Sequence, residues 1–155
     1  MRGLSAREEP ALGTGLDFLR LLWAIDHALH SRSKRMAEAR GITEPQRLVL
    51  RIVGRFPGIP PGDLARLLHL HPSTLTGILQ RLEERGWIAR RQDLRDRRRM
   101  LIGLTRGGRR LDLESADGVE ADVERVLSEA SPREAAVLRR ILARLAGALG
   151  SRAEP

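Results

Sequence analysis

Residues 87–104 form a short segment that interrupts the helical pattern of the sequence. Two runs with strand character, Trp87 to Arg91 and Met100 to Leu104, are separated by charged residues from Asp93 to Arg99. This arrangement predicts two antiparallel strands joined by a charged turn. The flanking segments have the apolar spacing of helices. We therefore expect a mainly α-helical chain with one small β-hairpin, an α+β fold.

Four helices are predicted before the hairpin, and their ends are set by capping residues. Gly41 and Gly86 are typical of positions just past a helix end. Thr43 and Gln46 form the pattern of a reciprocal capping box at the start of the second helix. The predicted ranges are 16–40, 43–56, 63–70 with Pro61 in the first turn, and 72–85.

The fourth of these helices has two different faces. Leu75, Ile78, Leu79 and Leu82 recur at intervals of three and four residues, which turns one face inward. The opposite face is short, polar and capable of hydrogen bonding, unlike the Glu/Lys face of an ordinary surface helix. Its residues are Ser73, Thr74, Thr76, Gly77, Gln80 and Arg81.

Helices are also predicted after the hairpin. Thr105 caps a fifth helix that runs to about Glu129, with a weak point at Gly118, and Ser131 and Glu134 form a second capping box that opens the last helix. The last helix carries apolar residues at 138, 141 or 142, 145 and 149, which is the spacing of a helix-pairing seam. The first helix is apolar on too many faces for a surface helix, so it needs partners on two sides.

The net charge of +8 is concentrated near the hairpin. Residues 85–110 contain ten arginines and two aspartates, a net charge of +8, whereas residues 111–130 contain seven acidic residues and one arginine, a net charge of −6. Such segregation creates a local positive potential that suits a polyanion. A basic hairpin beside a polar helix therefore points to nucleic acid.

Several classes of protein are disfavoured. The chain has no cysteine, which excludes disulfides, thiolate metal sites and thiol redox switches. Its apolar runs are too short to span a bilayer and its first residues lack the apolar centre of a signal peptide, so we expect no membrane association and a cytoplasmic location. No catalytic triad, phosphate-binding loop or paired-carboxylate cleft emerges, so we expect neither an enzyme nor a cofactor.

The order of elements, with a tight turn before the polar-faced helix and the basic hairpin directly after it, predicts a winged helix-turn-helix. Such a helix fits the major groove of double-stranded DNA, and an arginine-tipped hairpin reaches the adjacent minor groove. The residues predicted to contact DNA are Ser73, Thr74, Thr76, Gln80, Arg81, Arg95, Arg97, Arg98 and Arg99. The alternative is a winged helix that serves as a protein-interaction module without specific DNA binding.

Residues 93–108 resemble the wing signature of MarR-family transcriptional regulators. They contain an acidic residue, two intervening positions, Asp-Arg-Arg, a strand, and then Leu-Thr-x-x-Gly. Residues 82–88 are similar to that family's end of the recognition helix, and the likeness extends from about Leu16 to Leu149. Gly77 and Leu94 depart from it, because relatives often have arginine and proline there.

This resemblance implies a homodimer that binds a pseudo-palindromic operator, usually as a repressor. It implies a flexible arm (1–15), a dimerisation helix (16–42), the DNA-binding domain (43–106) and C-terminal dimerisation helices (107–150). It also implies that Asp96 pairs with Arg98 or a neighbour to stiffen the wing, with Arg97 and Arg98 entering the minor groove.

The resemblance further implies regulation by a small molecule. Trp23, Asp26 and His30 share one stripe of the first helix, and two interpretations are open: packing with an ion pair at the dimer seam, or one wall of a pocket for a small aromatic acid. Sensing of peroxide is disfavoured because cysteine is absent, and sensing of zinc because suitable ligands are few. Sensing of urate is disfavoured because Gln46, Arg47 and Leu48 stand where an acid is needed. His69 and His71 have the spacing of a metal pair, but a capping or phosphate-contacting role is favoured, and no metal site is predicted.

Overall fold

A computed structural model describes residues 13–113 and 119–150. By internal contacts the chain divides into two units, Met1–Glu44 and Pro45–Pro155. The described ranges contain seven helices and two strands, whose bounds are α1 (Thr14–Arg40), α2 (Glu44–Arg55), α3 (Pro61–Leu68), α4 (Pro72–Glu84), β1 (Ile88–Gln92), β2 (Met100–Leu104), α5 (Arg106–Leu113), α6 (Val119–Ser128) and α7 (Pro132–Gly150).

The first unit consists of α1 and the turn that follows it. Helix α1 begins at Thr14, two residues before its predicted start, so the last two residues of the predicted arm are helical. Residues 1–12 of that arm lie outside the described residues. Gly41 ends α1 as predicted, with its amide donating to the Ala37 carbonyl at 2.9 Å. The Ser33 hydroxyl then accepts from the amide of Glu44, 3.1 Å away, at the start of α2.

The second unit has a core built from one face of each of its first elements. Helix α2 turns one side inward, α3 and α4 pack against each other, and α4 contacts β1. The buried aliphatic residues that share this core are Val49, Leu50, Val53, Leu64, Ala65, Leu75, Leu79, Leu82, Ile88 and Ile102. The predicted inward face of α4 is therefore confirmed for its three leucines.

The hairpin forms as predicted, with its first strand shifted by one residue. Strands β1 and β2 pair antiparallel, with Ile88 opposite Leu104 and Gln92 opposite Met100. An isolated bridge between Ile59 and Ile102 attaches the segment before α3 to the outer edge of β2. This bridge fixes the hairpin to the helical part of the unit.

Gly86 sets the direction in which the chain leaves α4. It has φ 67°, a left-handed conformation that glycine adopts without steric cost. Its amide donates to the Glu83 carbonyl at 2.8 Å, and the Trp87 amide donates to the Leu82 carbonyl at 2.9 Å. Because two carbonyls at the end of α4 are satisfied in this turn, β1 follows the helix directly.

The C-terminal segment contains both predicted caps. The Thr105 hydroxyl accepts from the Gly108 amide at 3.1 Å and caps α5. The predicted helix 105–129 is described as α5 and α6, and the predicted weak point at Gly118 lies outside the described residues. The Ser131 and Glu134 capping box is formed in both directions, and the hydrogen bonds from Ser131 lower the pKa of Glu134.

Helix length and hydropathy also bear on membrane association. Among helices α1 to α7, none combines the length and the apolar character needed to cross a bilayer.

Candidate nucleic-acid interface

Helix α4 presents a polar surface to solvent because its leucines are used in the core. The five residues predicted to contact DNA from this helix are all exposed. They lie on the side of α4 away from Leu75, Leu79 and Leu82. Three of them already make hydrogen bonds, namely Ser73, Thr76 and Gln80. The structure therefore brings the predicted helical residues together on one accessible surface.

The two histidines at the turn before α4 act as caps. His69 ends α3 in a left-handed conformation with φ 52°. His71 precedes the first turn of α4, and its Nδ1 accepts from the amide of Ser73 at 3.2 Å. This contact satisfies one of the free amides at a helix start. The capping role of His71 is confirmed, and no cluster of metal-binding side chains occurs within residues 13–113 and 119–150.

The turn of the hairpin is held by backbone contacts from two aspartates. The Asp93 carboxylate accepts from the Arg95 amide at 2.9 Å, and the Asp96 carboxylate accepts from the Arg98 amide at 3.0 Å. The predicted ion pair between Asp96 and the Arg98 guanidinium is therefore wrong in form: the contact is made by the backbone of Arg98. An aspartate bonds readily to the amide two residues ahead, which stiffens a turn without using the arginine guanidinium groups.

The wing arginines remain available because the turn does not use their guanidinium groups. Arg95, Arg97 and Arg98 are exposed, and within the described part of the chain no carboxylate lies within ion-pair distance of them. Arg99 differs, because its guanidinium lies 4.0 Å from the Asp63 carboxylate of α3. A cluster of accessible cations at the tip of a stiff turn is suited to phosphate.

One contact that links the helix to the wing was missed by sequence reasoning. The Arg90 guanidinium of β1 lies 3.1 Å from the Glu83 carboxylate near the end of α4. The two residues are seven apart and are separated by a turn, so neither helical nor strand spacing relates them. This ion pair fixes the first strand of the wing relative to α4.

Comparison with known proteins places these features in a family. Residues 42–100 match the MarR family, and these residues include α2, α3, α4 and most of the hairpin. The chain carries a MarR-family winged-helix domain. With helices α1 to α7 and one antiparallel hairpin, the predicted fold class is confirmed, as is the resemblance to the MarR family over residues 42–100.

Proteins similar to this chain are transcriptional regulators and not enzymes. The transcriptional activatory protein BadR of Rhodopseudomonas palustris is 38% identical over 91 residues, which are 57% of this chain and 52% of BadR. The HTH-type transcriptional repressor Rv2887 of Mycobacterium tuberculosis is 27% identical over 125 residues, which are 81% of this chain and 90% of the repressor. The chain thus matches about half the length of BadR.

A solved complex is similar in structure. The S. aureus MepR–DNA complex superposes with a TM-score of 0.67 at 27% identity, covering 85% of this chain and 97% of MepR. MepR is bound to DNA in that structure.

Of the contacts predicted among Trp23, Asp26 and His30 on α1, the pair between Asp26 and His30 is present. The His30 imidazole Nδ1 lies 3.2 Å from the Asp26 carboxylate and 2.9 Å from the Asp26 carbonyl oxygen, so the predicted i,i+4 pair is present. Trp23 is 73% exposed. The three side chains thus lie open on one helix in the single chain.

An ion-pair cluster that was not predicted joins α2 to α5 and α6. The Arg47 side chain is only 3% exposed and its guanidinium pairs with the Glu120 carboxylate. Arg51, one turn later, lies 3.0 Å from Asp112 and 3.7 Å from Glu120. Burial raises the pKa of Glu120, but the hydrogen bond from Arg47 and the nearby positive charges outweigh it, so the pKa is lowered.

Replacing Glu120 by glutamine is expected to reduce the free energy of unfolding at pH 7 by about 2 kcal/mol, because the buried Arg47 loses a charged partner that is itself partly solvated. The native pKa of Glu120 is depressed, so its contribution is present above the unfolded pKa and disappears as pH falls through the native value. The difference between wild type and E120Q should therefore shrink below about pH 4.

Urea unfolding at pH 7 and pH 3.5 measures this difference. The matched control is E124Q, which removes an exposed carboxylate from the same helix. An E120Q curve that coincides with wild type at pH 7 would show that the cluster contributes nothing to stability.

Proposed function

We propose that this chain is a sequence-specific DNA-binding transcriptional regulator, acting as a ligand-responsive repressor in the cytoplasm. Helix α4 lies in the major groove, and the wing arginines enter the minor groove beside it. The single observation that carries the proposal is the exposed set Arg95, Arg97 and Arg98 in the wing turn, which has no carboxylate within ion-pair distance among the described residues of this MarR-family domain. Phosphate contacts from the wing supply affinity, and side chains of α4 select the sequence.

The regulator acts as a homodimer on a pseudo-palindromic operator. This part of the proposal is supported by two helices that bury nothing in a single copy: neither α1 nor α7, both described in full, contains a buried residue. Their exposed apolar side chains exceed what an isolated surface helix carries. The exposed residues are Leu16, Phe18, Leu19, Leu21, Trp23, Ile25, Leu29, Val137, Leu138, Ile141, Leu142 and Leu149.

We assign dimerisation to residues 16–42 and 107–150, and DNA binding to the domain formed by residues 43–106. Sedimentation of the purified chain tests this arrangement. A dimer that becomes a monomer when Leu138 and Leu142 are replaced by aspartate supports it. A wild-type chain that sediments as a monomer at micromolar concentration contradicts it.

The response to a small molecule is proposed to involve Trp23, Asp26 and His30. An aromatic ring stacks on Trp23, and the Asp26–His30 pair supplies polar contacts at one side. The ligand is a small aromatic acid. Its addition should weaken DNA binding by the wild type, and W23A should abolish that response. Sedimentation of W23A as the wild type does would show that the loss of response does not come from loss of the dimer.

DNA binding itself is tested by fluorescence anisotropy with the DNA upstream of the chain's own coding sequence and with a scrambled duplex. The expected result is a preference for the upstream DNA and a steep decrease of affinity with salt. The protein-interaction alternative predicts no salt-dependent binding to either duplex. A reporter gene placed behind the bound DNA distinguishes repression from activation.

A further inference from the structure

We infer that three residues on the exposed side of α4, Thr76, Gln80 and Glu84, form a hydrogen-bond-accepting ridge that reads exocyclic amino groups in the major groove. The residues are four apart, so their side chains lie above one another on one helix face. Glu84 is the positioning residue for Gln80 and completes the ridge. This inference rests on the proposed DNA-binding function and adds the chemistry of the bases that are read.

Thr76 presents an acceptor because its only hydroxyl proton is used within the helix. Its Oγ1 donates to the carbonyl of Pro72 at 2.8 Å. A threonine hydroxyl has one donor and two acceptor positions. What remains for a partner outside the helix is therefore the oxygen lone pairs.

Gln80 presents its carbonyl oxygen because the NH2 end of its amide is turned toward Glu84, which takes one of its two N–H donors. Its Nε2 lies 2.9 Å from the Glu84 carboxylate. An ionised carboxylate only accepts hydrogen bonds, so the NH2 end of the amide must face Glu84 and the Oε1 end faces away from it. The second carboxylate oxygen of Glu84 adds a further acceptor to the ridge.

An accepting ridge selects particular base edges. In the major groove, cytosine offers its N4 amino group and adenine its N6 amino group as donors, whereas guanine O6 and N7 and thymine O4 are acceptors. Guanine or thymine opposite this ridge would place oxygen or nitrogen lone pairs against oxygens. The surface between Thr76 and Gln80 is open to a base, because Gly77 has no side chain and the position of its absent Cβ has no atom within 4 Å.

The charge of Glu84 strengthens the selection. A carboxylate in the groove of a polyanion is unfavourable unless it meets a donor. Guanine or thymine therefore weakens binding in two ways, because its acceptors oppose those of the ridge and the Glu84 carboxylate is left without a donor. Arg81 is exposed on the same helix and can offset the negative charge by contacting phosphate. Affinity and base selection are thus divided between Arg81 and the ridge.

Selection of binding sites from a random duplex library by the full-length purified chain tests the inference. The wild type is expected to enrich sites in which cytosine or adenine is preferred about tenfold at a base that Q80A relaxes. E84Q keeps the size of the side chain but adds an NH2 donor and removes the charge, so the preference at that base should fall below about threefold and guanine or thymine should be admitted. Replacement of a selected adenine by 2-aminopurine, which removes the amino group from the major groove, should weaken wild-type binding and not E84Q binding.

The matched control is E124Q, which makes the same chemical change on the exposed surface of α6 and should leave the selected sequence unchanged. Circular dichroism of E84Q checks that the variant retains its helices. Enrichment by the wild type with an identical E84Q profile would overturn the inference and leave the proposed function intact, as would a guanine or thymine preference at the base relaxed by Q80A. Failure of the wild type to enrich any sequence would overturn both.

Discussion

Replacing Arg97 and Arg98 together by alanine is expected to weaken DNA binding by about 10- to 100-fold at 0.15 M salt and to lower the salt slope by about 2. Each arginine that neutralises a phosphate releases one counterion, so two lost contacts should appear in the slope and not only in the affinity. The effect should fall on binding and not on folding, because both guanidinium groups are exposed and the wing turn is held by the backbone amide of Arg98.

Anisotropy titrations at four salt concentrations between about 0.05 and 0.3 M provide the affinity and the salt slope. The control is alanine replacement of Arg139 and Arg140, an exposed pair on α7 that gives the same change in net charge. A salt slope equal to that of the wild type in the wing variant would contradict the assignment of these arginines to phosphate. An equal decrease in the α7 variant would show that net charge alone governs binding.

The part of the interface that sequence reasoning captured is local in the chain. The inward face of α4 follows from leucines at 75, 79 and 82, and the hairpin follows from two short runs around a charged turn. Gly86 could be placed as the helix end because a left-handed residue there is a property of one position. Each of these features depends on residues close in sequence, where spacing determines geometry.

Contacts that depend on tertiary packing could not be predicted in the same way. Arg47 and Glu120 are 73 residues apart, and nothing in their own segments indicates that they meet. The Asp96 contact was expected with a side chain and is made with a backbone amide, because charge patterns do not show which nearby donor a carboxylate will reach first. The Gln80–Glu84 hydrogen bond is different, since helical spacing alone could have suggested it.

The surfaces that cover the apolar side chains of α1 and α7 could not be predicted from the sequence either. Apolar spacing predicted that these helices need other surfaces, and in a single copy their apolar residues are exposed. A second chain is the simplest source of those surfaces. The identity of a partner cannot be derived from one helix face, because many apolar surfaces would cover it equally well.

The Leu-Thr-x-x-Gly pattern at the end of the wing has a steric basis at Gly108. The Trp87 carbonyl oxygen accepts from the Thr105 amide at 3.1 Å, and the Thr105 hydroxyl donates to the neighbouring Gly86 carbonyl at 2.6 Å. The Trp87 oxygen lies 1.9 Å from the place where a Cβ on Gly108 would be. The Trp87 carbonyl cannot retreat without losing the contact that joins the start of α5 to the start of the hairpin.

Replacing Gly108 by alanine is therefore expected to reduce the free energy of unfolding by about 3 kcal/mol, through overpacking against backbone. Gly107 is the matched control, because a Cβ there would meet its nearest atoms at 3.7 Å, an ordinary contact. Alanine at 107 should leave stability unchanged or raise it by up to about 1 kcal/mol, since alanine favours the helix more than glycine does.

Urea unfolding of both variants at one protein concentration measures the difference, because the stability of an oligomer depends on concentration. If G108A is too unstable to be purified in soluble form while G107A is soluble, that result also supports the steric argument. If G108A unfolds within about 0.5 kcal/mol of the wild type, a limit typical of neutral surface substitutions, the close approach of the Trp87 carbonyl does not constrain this position. In that case the glycine of the wing pattern has no packing role, and the junction between hairpin and α5 must be held by Thr105 alone.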